Sequence, residues 1–276
     1  MKTYVDHLLK IGKTHKVCED YIISGYEPVP YIILSDGCSS SNNTDIGARI
    51  LCLEAKQYLT YHKNSIKSID EVRMGEYIIW KSDSIAMQLG LDQAPLDATL
   101  MVAYYYNHLL KIIVYGDGCI VFIDNVTGET EIINIEYDKN IPYYLSYTLE
   151  KERDKIYKSN KIKKLIDRDY IKSDRVHLLT STDSREEYAI TYGIYPGEDK
   201  TILILSDGIS TFFNKEQQEF LPIKDLIQDF SSFKTLKGEF LHRRLLSKKG
   251  AITKLEQQGY NHLDDLSVGA FVIKGE

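Results

Sequence analysis

Two copies of one pentapeptide, each ending in an aspartate and a glycine, are the residues best suited to chemistry. Ile33-Leu-Ser-Asp-Gly37 recurs letter for letter as Ile204-Leu-Ser-Asp-Gly208. Val114-Tyr-Gly-Asp-Gly118 repeats the pattern loosely, and His262-Leu-Asp-Asp265 places two more acids before the apolar run 266–273. A single Asp-Gly pair at a strand end usually marks a turn, since Gly adopts positive φ and Asp bonds its own backbone. Acids at four such boundaries instead predict strand ends that converge on one place, where clustered carboxylates repel one another unless a cation binds among them.

The strands that must position these acids are readable from short apolar runs and the turns between them. Residues 1–37 are β-rich, and hairpin punctuation separates the runs that follow. This pattern predicts an antiparallel meander at 98–106, 109–115, 119–124 and 129–135. Further strands are predicted at 176–179, 187–195, 201–205 and 266–273.

Helices are predicted between these strands. Thr44 or Asp45 is a suitable N-cap for a helix that runs to about Thr60. A second helix is predicted over Ile69–Leu89, with an inner face made of Val72, Tyr77, Ile78, Ile85 and Leu89. Three shorter helices are predicted near Lys215–Phe220, Ile223–Phe230 and Gly238–Lys248.

Residues 148–175 differ from the rest in being rich in Lys, Arg and Asp, with few apolar positions. We interpret them as an exposed insertion or flap. A solvated helix and loop is favoured over a docking surface, although a mobile flap beside the site could select protein substrates. No linker rich in Pro, Gly or Ser interrupts the chain, so residues 1–276 are predicted to form a single domain.

The composition bounds the class of protein. A hydrophobic content of 43% and a charged content of 27% are ordinary for a globular protein. The net charge of −6 argues against nucleic acid as a partner. The four cysteines lack zinc-type spacing. The N-terminus lacks the apolar core of a signal peptide, and no apolar run approaches the roughly 20 residues that cross a bilayer. We therefore expect a cytoplasmic monomer with no membrane contact.

The order of the motifs resembles that of the metal-dependent Ser/Thr protein phosphatases of the 2C type, in particular their bacterial branch. The motifs are spread over residues 12–273, and together they are far more specific than any one of them. They are Gly12–Asp20, Ser35–Ser40 with Asp45–Ala48, Asp97–Thr99, Tyr115–Gly118, Leu205–Gly208 and Leu263–Val268. The resemblance implies an α+β fold, a four-layer αββα sandwich in which helices flank two antiparallel sheets.

The resemblance also implies roles for individual residues. Asp36 would bridge two Mn²⁺ or Mg²⁺ ions, and the carbonyl of Gly37 would bind one of them. Asp207 and Asp264 would bind the other ion, and Glu19 would reach the cluster through water. Asp117 matches the position of a third, weaker metal site. An all-oxygen ligand set without His or Cys favours Mg²⁺ or Mn²⁺ over Zn²⁺, and a water bridging two such ions would attack phosphoserine or phosphothreonine.

Three positions depart from the family pattern. His15 stands where members often carry an Arg that holds the substrate phosphate. Cys38 stands where eukaryotic members carry a His, a candidate general acid. Asp265 replaces the usual Asn after the last metal-binding Asp. His15 could bind the phosphate or protonate the leaving group, or it could merely pack beside Lys13 and Lys16 while one of those lysines holds the phosphate.

Two classes of function remain open. The first is an active phosphoprotein phosphatase, whose partners would be a phosphoprotein substrate and a cognate Ser/Thr kinase. The second is a non-catalytic module of the same fold that binds a kinase or a phosphopeptide. The enzyme is favoured because the acids Asp36, Asp117, Asp207 and Asp264 are all retained.

Overall fold

Strands dominate the computed structural model, which describes residues 1–183 and 187–275. Its strands are β1 (Lys2–Lys10), β2 (Tyr21–Gly25), β3 (Tyr31–Ser35), β4 (Leu100–Tyr106), β5 (Leu109–Tyr115), β6 (Gly118–Asp124), β7 (Thr130–Tyr137), β8 (Lys163–Ile171), β9 (Leu178–Asp183), β10 (Tyr188–Gly193), β11 (Lys200–Leu205), β12 (Phe212–Asn214), β13 (Glu219–Phe220), β14 (Tyr260–His262) and β15 (Leu266–Lys274). Its helices are α1 (Thr44–Tyr61), α2 (Glu71–Gln88), α3 (Lys151–Ser159), α4 (Ile223–Ser231), α5 (Phe240–Leu245) and α6 (Ala251–Gln257).

The strands form two large antiparallel sheets and one small one. The first sheet has seven strands in the order β1-β15-β11-β6-β7-β8-β9. The second has five strands in the order β10-β5-β4-β3-β2, and the small sheet has the order β13-β12-β14. Neighbouring strands run antiparallel throughout, for example β6 beside β11 with Ile120 opposite Ile204.

Three apolar layers hold the sheets and helices together. Side chains such as Ile32, Met101 and Phe271 fill the space between the two large sheets. A second core packs α1 and α2 on the five-stranded sheet, and a third packs α4, α5 and α6 on the seven-stranded sheet. Each fully buried Leu, Ile or Phe side chain contributes about 1.5–3 kcal/mol. The predicted four-layer αββα sandwich is confirmed.

The two long helices form as predicted, with small differences in their details. Helix α1 begins at Thr44, and its N-cap is Asn43 in the left-handed region (φ 59°), so neither Thr44 nor Asp45 is the cap. The predicted inner face of α2 is wrong at its ends, since Val72 is 51% and Leu89 is 59% exposed. The buried face is instead Met74, Gly75, Ile78, Ile79, Ser82 and Ala86.

The C-terminal helices differ more from the prediction. The helix expected at 215–220 is wrong, because the side chain of Asn214 accepts hydrogen bonds from the backbone N–H groups of Glu216 and Gln217 and makes a turn between β12 and β13. Helix α4 forms as predicted and is one residue longer, and α5 forms within its predicted range. Helix α6 was not predicted. No helix in the two described ranges combines the length and the apolar character needed to cross a bilayer.

Residues 148–175 are only partly the solvated segment that the sequence predicts. Helix α3 is present, but the expectation of a loop after it is wrong, because residues 163–171 form β8 between β7 and β9. Charged side chains on β8 are tolerated because they pair across strands. Arg168 on β8, for instance, lies 2.8 Å from Glu131 on β7 and donates to the Tyr188 hydroxyl.

Candidate active site

The predicted acids lie where strands of both large sheets begin or end. Glu19 lies two residues before β2, and Asp36 directly follows β3. Asp117 lies between β5 and β6, Asp207 lies two residues beyond the end of β11, and Asp264 lies two residues before β15. Because neighbouring strands alternate in direction, these boundaries all fall at the same edge of the sandwich. The structure therefore brings the predicted acids to one edge, from segments far apart in the chain.

The segment that carries Asp36 is fixed by the loop that enters β4. The backbone N–H of Thr99 donates to the Asp36 carbonyl at 2.8 Å, and the Asp36 N–H donates to Thr99 Oγ1 at 3.1 Å. Gly37 follows in a space with no room for a side chain, since a Cβ there would lie 2.8 Å from the carbonyl oxygen of Glu19. The backbone around Asp36 is thus held independently of its side chain.

The side chain of Asp36 faces other acids. Burial, followed by the charges of Asp20, Asp207 and Asp117, raises the pKa of Asp36 well above its usual range. Burial and the charge of Asp207 likewise raise the pKa of Asp117. Burial also raises the pKa of Asp207, which shares a hydrogen bond with Asp36. No described Lys or Arg forms an ion pair with Asp36 or Asp207, so ionising this carboxylate cluster (Asp20, Asp36, Asp117 and Asp207) without a cation is costly.

Asp20 is the member of the carboxylate cluster that the sequence analysis left unassigned. It is 1% exposed, and neither of its oxygens makes a hydrogen bond of normal geometry within the described residues, although the hydroxyls of Ser206 and Ser267 lie alongside. Burial raises its pKa to about 7, and the charge of Asp207 acts in the same direction. The Glu-Asp pair at residues 19–20 was the signal that could have identified it.

His15 lies at the exposed rim of the site among three carboxylates. Its Nε2 is 3.3 Å from Asp264, and its Nδ1 is 3.0 Å from Asp265 and 3.9 Å from Glu19. Partial burial would lower the pKa of His15, but the contact with Asp265 and the charges of Asp264 and Glu19 outweigh it, so the pKa is raised. The structure thus joins His15, Glu19 and Asp264 into one group.

Asp265 has a structural role that explains why an acid is tolerated there. Its Oδ1 accepts the N–H of Gly12 at 2.7 Å, and its Oδ2 accepts the N–H of Glu19 at 2.6 Å. Asp265 is 2% exposed and therefore fastens the Gly12–Asp20 loop to the start of β15. This contact positions both Glu19 and Asp20.

The donor set fits a hard divalent cation by its chemistry. Within the described residues, no group of three or more His, Cys, Asp and Glu side chains has a geometry that holds a metal ion as it stands. The carboxylate cluster offers only oxygen donors, and among the described residues the Asp20 oxygens make no hydrogen bond of normal geometry, which suits Mg²⁺ or Mn²⁺. The metal-binding roles of Glu19, Asp36, Gly37, Asp117, Asp207 and Asp264 remain predictions.

A second buried acid, Asp97, lies next to the Asp-Gly segment, and the sequence identified it only as the start of the Asp97–Thr99 motif, without a role for its carboxylate. Both carboxylate oxygens of Asp97 are 2.8 Å from Nη2 of Arg153 on α3. The hydroxyls of Ser41 and Ser146 donate to the same carboxylate at 2.8 and 2.6 Å. The Asp97 carbonyl also accepts the N–H of Cys38 at 2.8 Å. This Asp97 anchor (Asp97, Arg153, Ser41 and Ser146) ties α3 to the loop that follows Asp36.

Tyr144 is a further residue of the site that sequence reasoning missed. It is 8% exposed. Burial and the nearby Cys38 thiol, Asp117 and Asp36 raise the pKa of its hydroxyl. Its position in a Tyr-rich stretch gave no sign of this placement.

Comparison with known proteins agrees with the motif order. Residues 12–247 match the family model described as protein phosphatase 2C. A search of curated protein sequences finds no match.

Solved structures with the same fold include three bacterial proteins. PppA, described as a key regulatory component of the T6SS in Pseudomonas aeruginosa, shares 12% identity at a TM-score of 0.57, with 99% of each chain covered. The catalytic domain of the Ser/Thr protein phosphatase PstP was solved with two manganese ions. It shares 14% identity with this chain at a TM-score of 0.53, and 99% of this chain and 100% of that one are covered. The Ser/Thr phosphatase of S. agalactiae shares 14% identity at a TM-score of 0.55, with 100% of each chain covered. The fold, the order of the acidic motifs and the family match lead to one conclusion: the chain belongs to the protein phosphatase 2C family.

Proposed function

We propose that the protein is a phosphoprotein phosphatase that hydrolyses phosphoserine or phosphothreonine with the help of bound Mn²⁺ or Mg²⁺. The observation that carries this proposal is the carboxylate cluster, whose pKa values are raised and in which Asp36 and Asp207 form no ion pair with a described Lys or Arg. Such a cluster costs stability unless it serves a cation. When bound, two divalent ions would activate the attacking water and stabilise charge on the phosphoryl oxygens.

The residues of this chain would divide the work as follows. Asp36 and the Gly37 carbonyl would bind the two ions from the Asp-Gly segment, which the backbone around Thr99 holds in place. Asp207 and Asp264 would bind from the opposite sheet, Glu19 would orient a water, and Asp117 would serve a third ion. Asp20 would accept hydrogen bonds from metal-bound waters, which gives a role to its oxygens, since they make no hydrogen bond of normal geometry among the described residues.

His15 would supply the positive charge that the family usually takes from Arg. In its protonated form it could hold a phosphate oxygen or give a proton to the leaving alkoxide. His15→Arg should then keep phosphate binding, measured as competitive inhibition by inorganic phosphate, whereas His15→Ala should weaken it. Equal inhibition of both variants and the unaltered protein would remove His15 from this role and leave Lys13 and Lys16 to be tested.

The proposal extends to the setting of the enzyme. We place it in the cytoplasm as a single-domain monomer that acts on phosphoproteins made by a Ser/Thr kinase. The four cysteines are free, which suits a reducing compartment. Sedimentation of the purified protein and fractionation of cells that express it would test the monomer and the compartment.

The deciding experiment is hydrolysis of p-nitrophenyl phosphate and of a phosphothreonine peptide in Mn²⁺, Mg²⁺ or EDTA. We expect turnover with either metal and none in chelator. Turnover that persists in EDTA would contradict the metal-dependent mechanism. Calorimetric Mn²⁺ binding without turnover of any phosphoester would instead favour the non-catalytic module.

A further inference from the structure

A run of positive charge stands out in this acidic chain and has no part in the chemistry described above. Residues 155–164 contain five lysines and no acid, although the whole chain has a net charge of −6. The lysines are Lys155, Lys158, Lys161, Lys163 and Lys164. They span the end of α3 and the start of β8.

Three of these lysines line a cavity of about 590 Å³ that we call the lysine groove. The three are Lys158 on α3, Lys161 just after α3 and Lys163 at the start of β8. They lie opposite Ser181–Asp183 at the end of β9, and the buried Tyr157 and Ile162 complete the lining. Lys158 pairs with Asp154. Lys161 and Lys163 are exposed and form no ion pair with any other described residue. Among the described residues, the groove therefore presents two lysines without an ion-pair partner, beside hydroxyl groups and Asp183, which is opposite Lys163 across the strand pair.

The lysine groove lies at the same edge of the sandwich as the carboxylate cluster. Gly118 at the start of β6 is opposite Ile135 on β7, and Tyr137 on β7 is opposite Lys164 on β8. Two strand spacings of about 4.8 Å therefore separate the β6 end from the β8 start, roughly 10 Å in all. The positive charge of Lys164 is close enough to act on Asp117, whose pKa it lowers in part.

A smaller cavity lies between the two places. It has a volume of about 320 Å³, and its lining includes Gly116, which precedes Asp117 of the carboxylate cluster, and Lys158 of the lysine groove, together with Lys164 and the acids Asp154 and Glu187. A peptide bound along this edge would advance about 3.3 Å per extended residue. Residues about three to five positions from a phosphoresidue at the carboxylate cluster would thus reach the lysine groove.

We propose that the lysine groove binds acidic side chains of the phosphoprotein, three to five positions from the phosphoresidue, and so selects substrates with acidic flanks. The proposal rests on the proposed function for its phosphoresidue, but the groove can be tested without turnover. An acidic peptide is favoured over nucleic acid or a lipid surface because the lysines line a recess at the edge of the sandwich that also holds the carboxylate cluster.

The test measures, by anisotropy in Mn²⁺, the binding of fluorescent peptides in which a non-hydrolysable phosphonate replaces the phosphate of phosphothreonine, so that the phosphoryl group can occupy the site without turnover. One peptide carries Glu three to five positions on both sides of the phosphothreonine, and its partner carries Gln there. We expect the Glu peptide to bind about tenfold more tightly at low ionic strength, and this ratio to fall towards one in about 0.5 M salt. Lys161→Glu with Lys163→Glu should abolish or invert the ratio.

The matched control is Lys63→Glu with Lys67→Glu. It makes the same charge change in exposed residues beyond the far end of α1, about 27 Å along the helix from the Asp-Gly loop. It should leave the Glu-to-Gln ratio unchanged. Equal binding of the two peptides by the unaltered protein, or equal effects of the two double variants, would overturn the proposal.

Two further arms separate this proposal from its neighbours. Hydrolysis of p-nitrophenyl phosphate in Mn²⁺ tests the proposed function alone. A protein that hydrolyses no phosphoester but still prefers the Glu peptide would support the proposal for the groove and contradict the proposed enzymatic function. Tighter binding to vesicles of phosphatidylserine and phosphatidylcholine than to the Glu peptide, lost in the Lys161/Lys163 variant, would assign the groove to lipid and overturn the proposal.

Discussion

Asp36 and Asp97 lie on adjoining segments of one edge of the sandwich, yet their surroundings are opposite. The carboxylate of Asp97 accepts hydrogen bonds from Arg153 and from two serine hydroxyls, with donor–acceptor distances between 2.6 and 2.8 Å. The carboxylate of Asp36 faces Asp20, Asp117 and Asp207 instead. A buried acid that is surrounded by donors stabilises the fold, whereas a buried acid among other acids destabilises it until a cation binds. The difference distinguishes an anchoring acid from a metal-binding acid within one protein.

The strongest test of the contrast between Asp36 and Asp97 is the effect of an Asp36 substitution on turnover. Asp36→Asn should lower kcat by about 1,000-fold or more in saturating Mn²⁺, because it removes the anionic ligand proposed to bridge the ions. The same variant should unfold at a higher temperature than the unaltered protein in EDTA, since one repelling charge is gone. Asp174→Asn, in an exposed position, is the control and should change neither quantity. Near-normal turnover in Asp36→Asn would refute the assignment of the cluster.

Removal of the partner of Asp97 should act in the opposite sense on stability. Arg153→Ala leaves a buried carboxylate with only its two serine donors, and we expect a loss of about 2–3 kcal/mol in the free energy of unfolding by urea denaturation. Arg153→Lys keeps the charge and should recover part of the loss. Because the Asp97 carbonyl holds Cys38, turnover should also fall. Unchanged stability in Arg153→Ala would mean that the pair does not fasten α3.

The acidic cluster should also give the metal-free protein an unusual dependence on pH. The pKa of Asp20 rises from 3.8 to about 7 on folding, so between these values the folded chain keeps a proton that the unfolded chain releases. Stability of the metal-free protein should therefore fall as pH rises from about 4 to about 7. In EDTA, we compare the difference between Tm at pH 5 and Tm at pH 7.5 in the two proteins. We expect this difference to be larger in the unaltered protein than in Asp20→Asn by at least about 2–4 °C. Parallel Tm profiles for the two proteins would argue against a raised pKa.

The smallest expected effect sharpens the description of the Asp97 anchor. Ser146 is fully buried and donates to Asp97 at 2.6 Å, whereas Ser41 is partly exposed and donates at 2.8 Å. Ser146→Ala should cost about 1 kcal/mol of unfolding free energy, and Ser41→Ala should cost less, because water can replace the Ser41 hydroxyl. Equal losses in urea denaturation would show that both hydroxyls are shielded from water.

The acidic edge was predictable because each of its parts is a local pattern. An apolar run followed by Asp-Gly predicts both a strand and the residue at which it ends. The order of these patterns along the chain was enough to predict the fold. Asp20 shows the limit of this reasoning. The sequence places it beside Glu19, but its burial depends on Ser206 and Ser267, which lie far away in the chain.

The Asp97 anchor could not be predicted in the same way. Arg153 lies 56 residues from Asp97 and belongs to a segment whose charges indicate solvent. Only tertiary packing decides which of those charges is buried. The same is true of β8, where charge pairs with β7 replace the apolar alternation that would have announced a strand.

The exposure of β9 has a consequence for how this protein can change over evolutionary time. This strand closes one side of the seven-stranded sheet, and all of its residues lie at least partly in solvent, outside the apolar cores. Replacements, insertions or deletions there disturb little packing, while the carboxylate cluster lies three strands away. Residues 181–183, which β9 contributes to the wall of the proposed lysine groove, can thus be replaced with little cost to the packing that holds the carboxylate cluster.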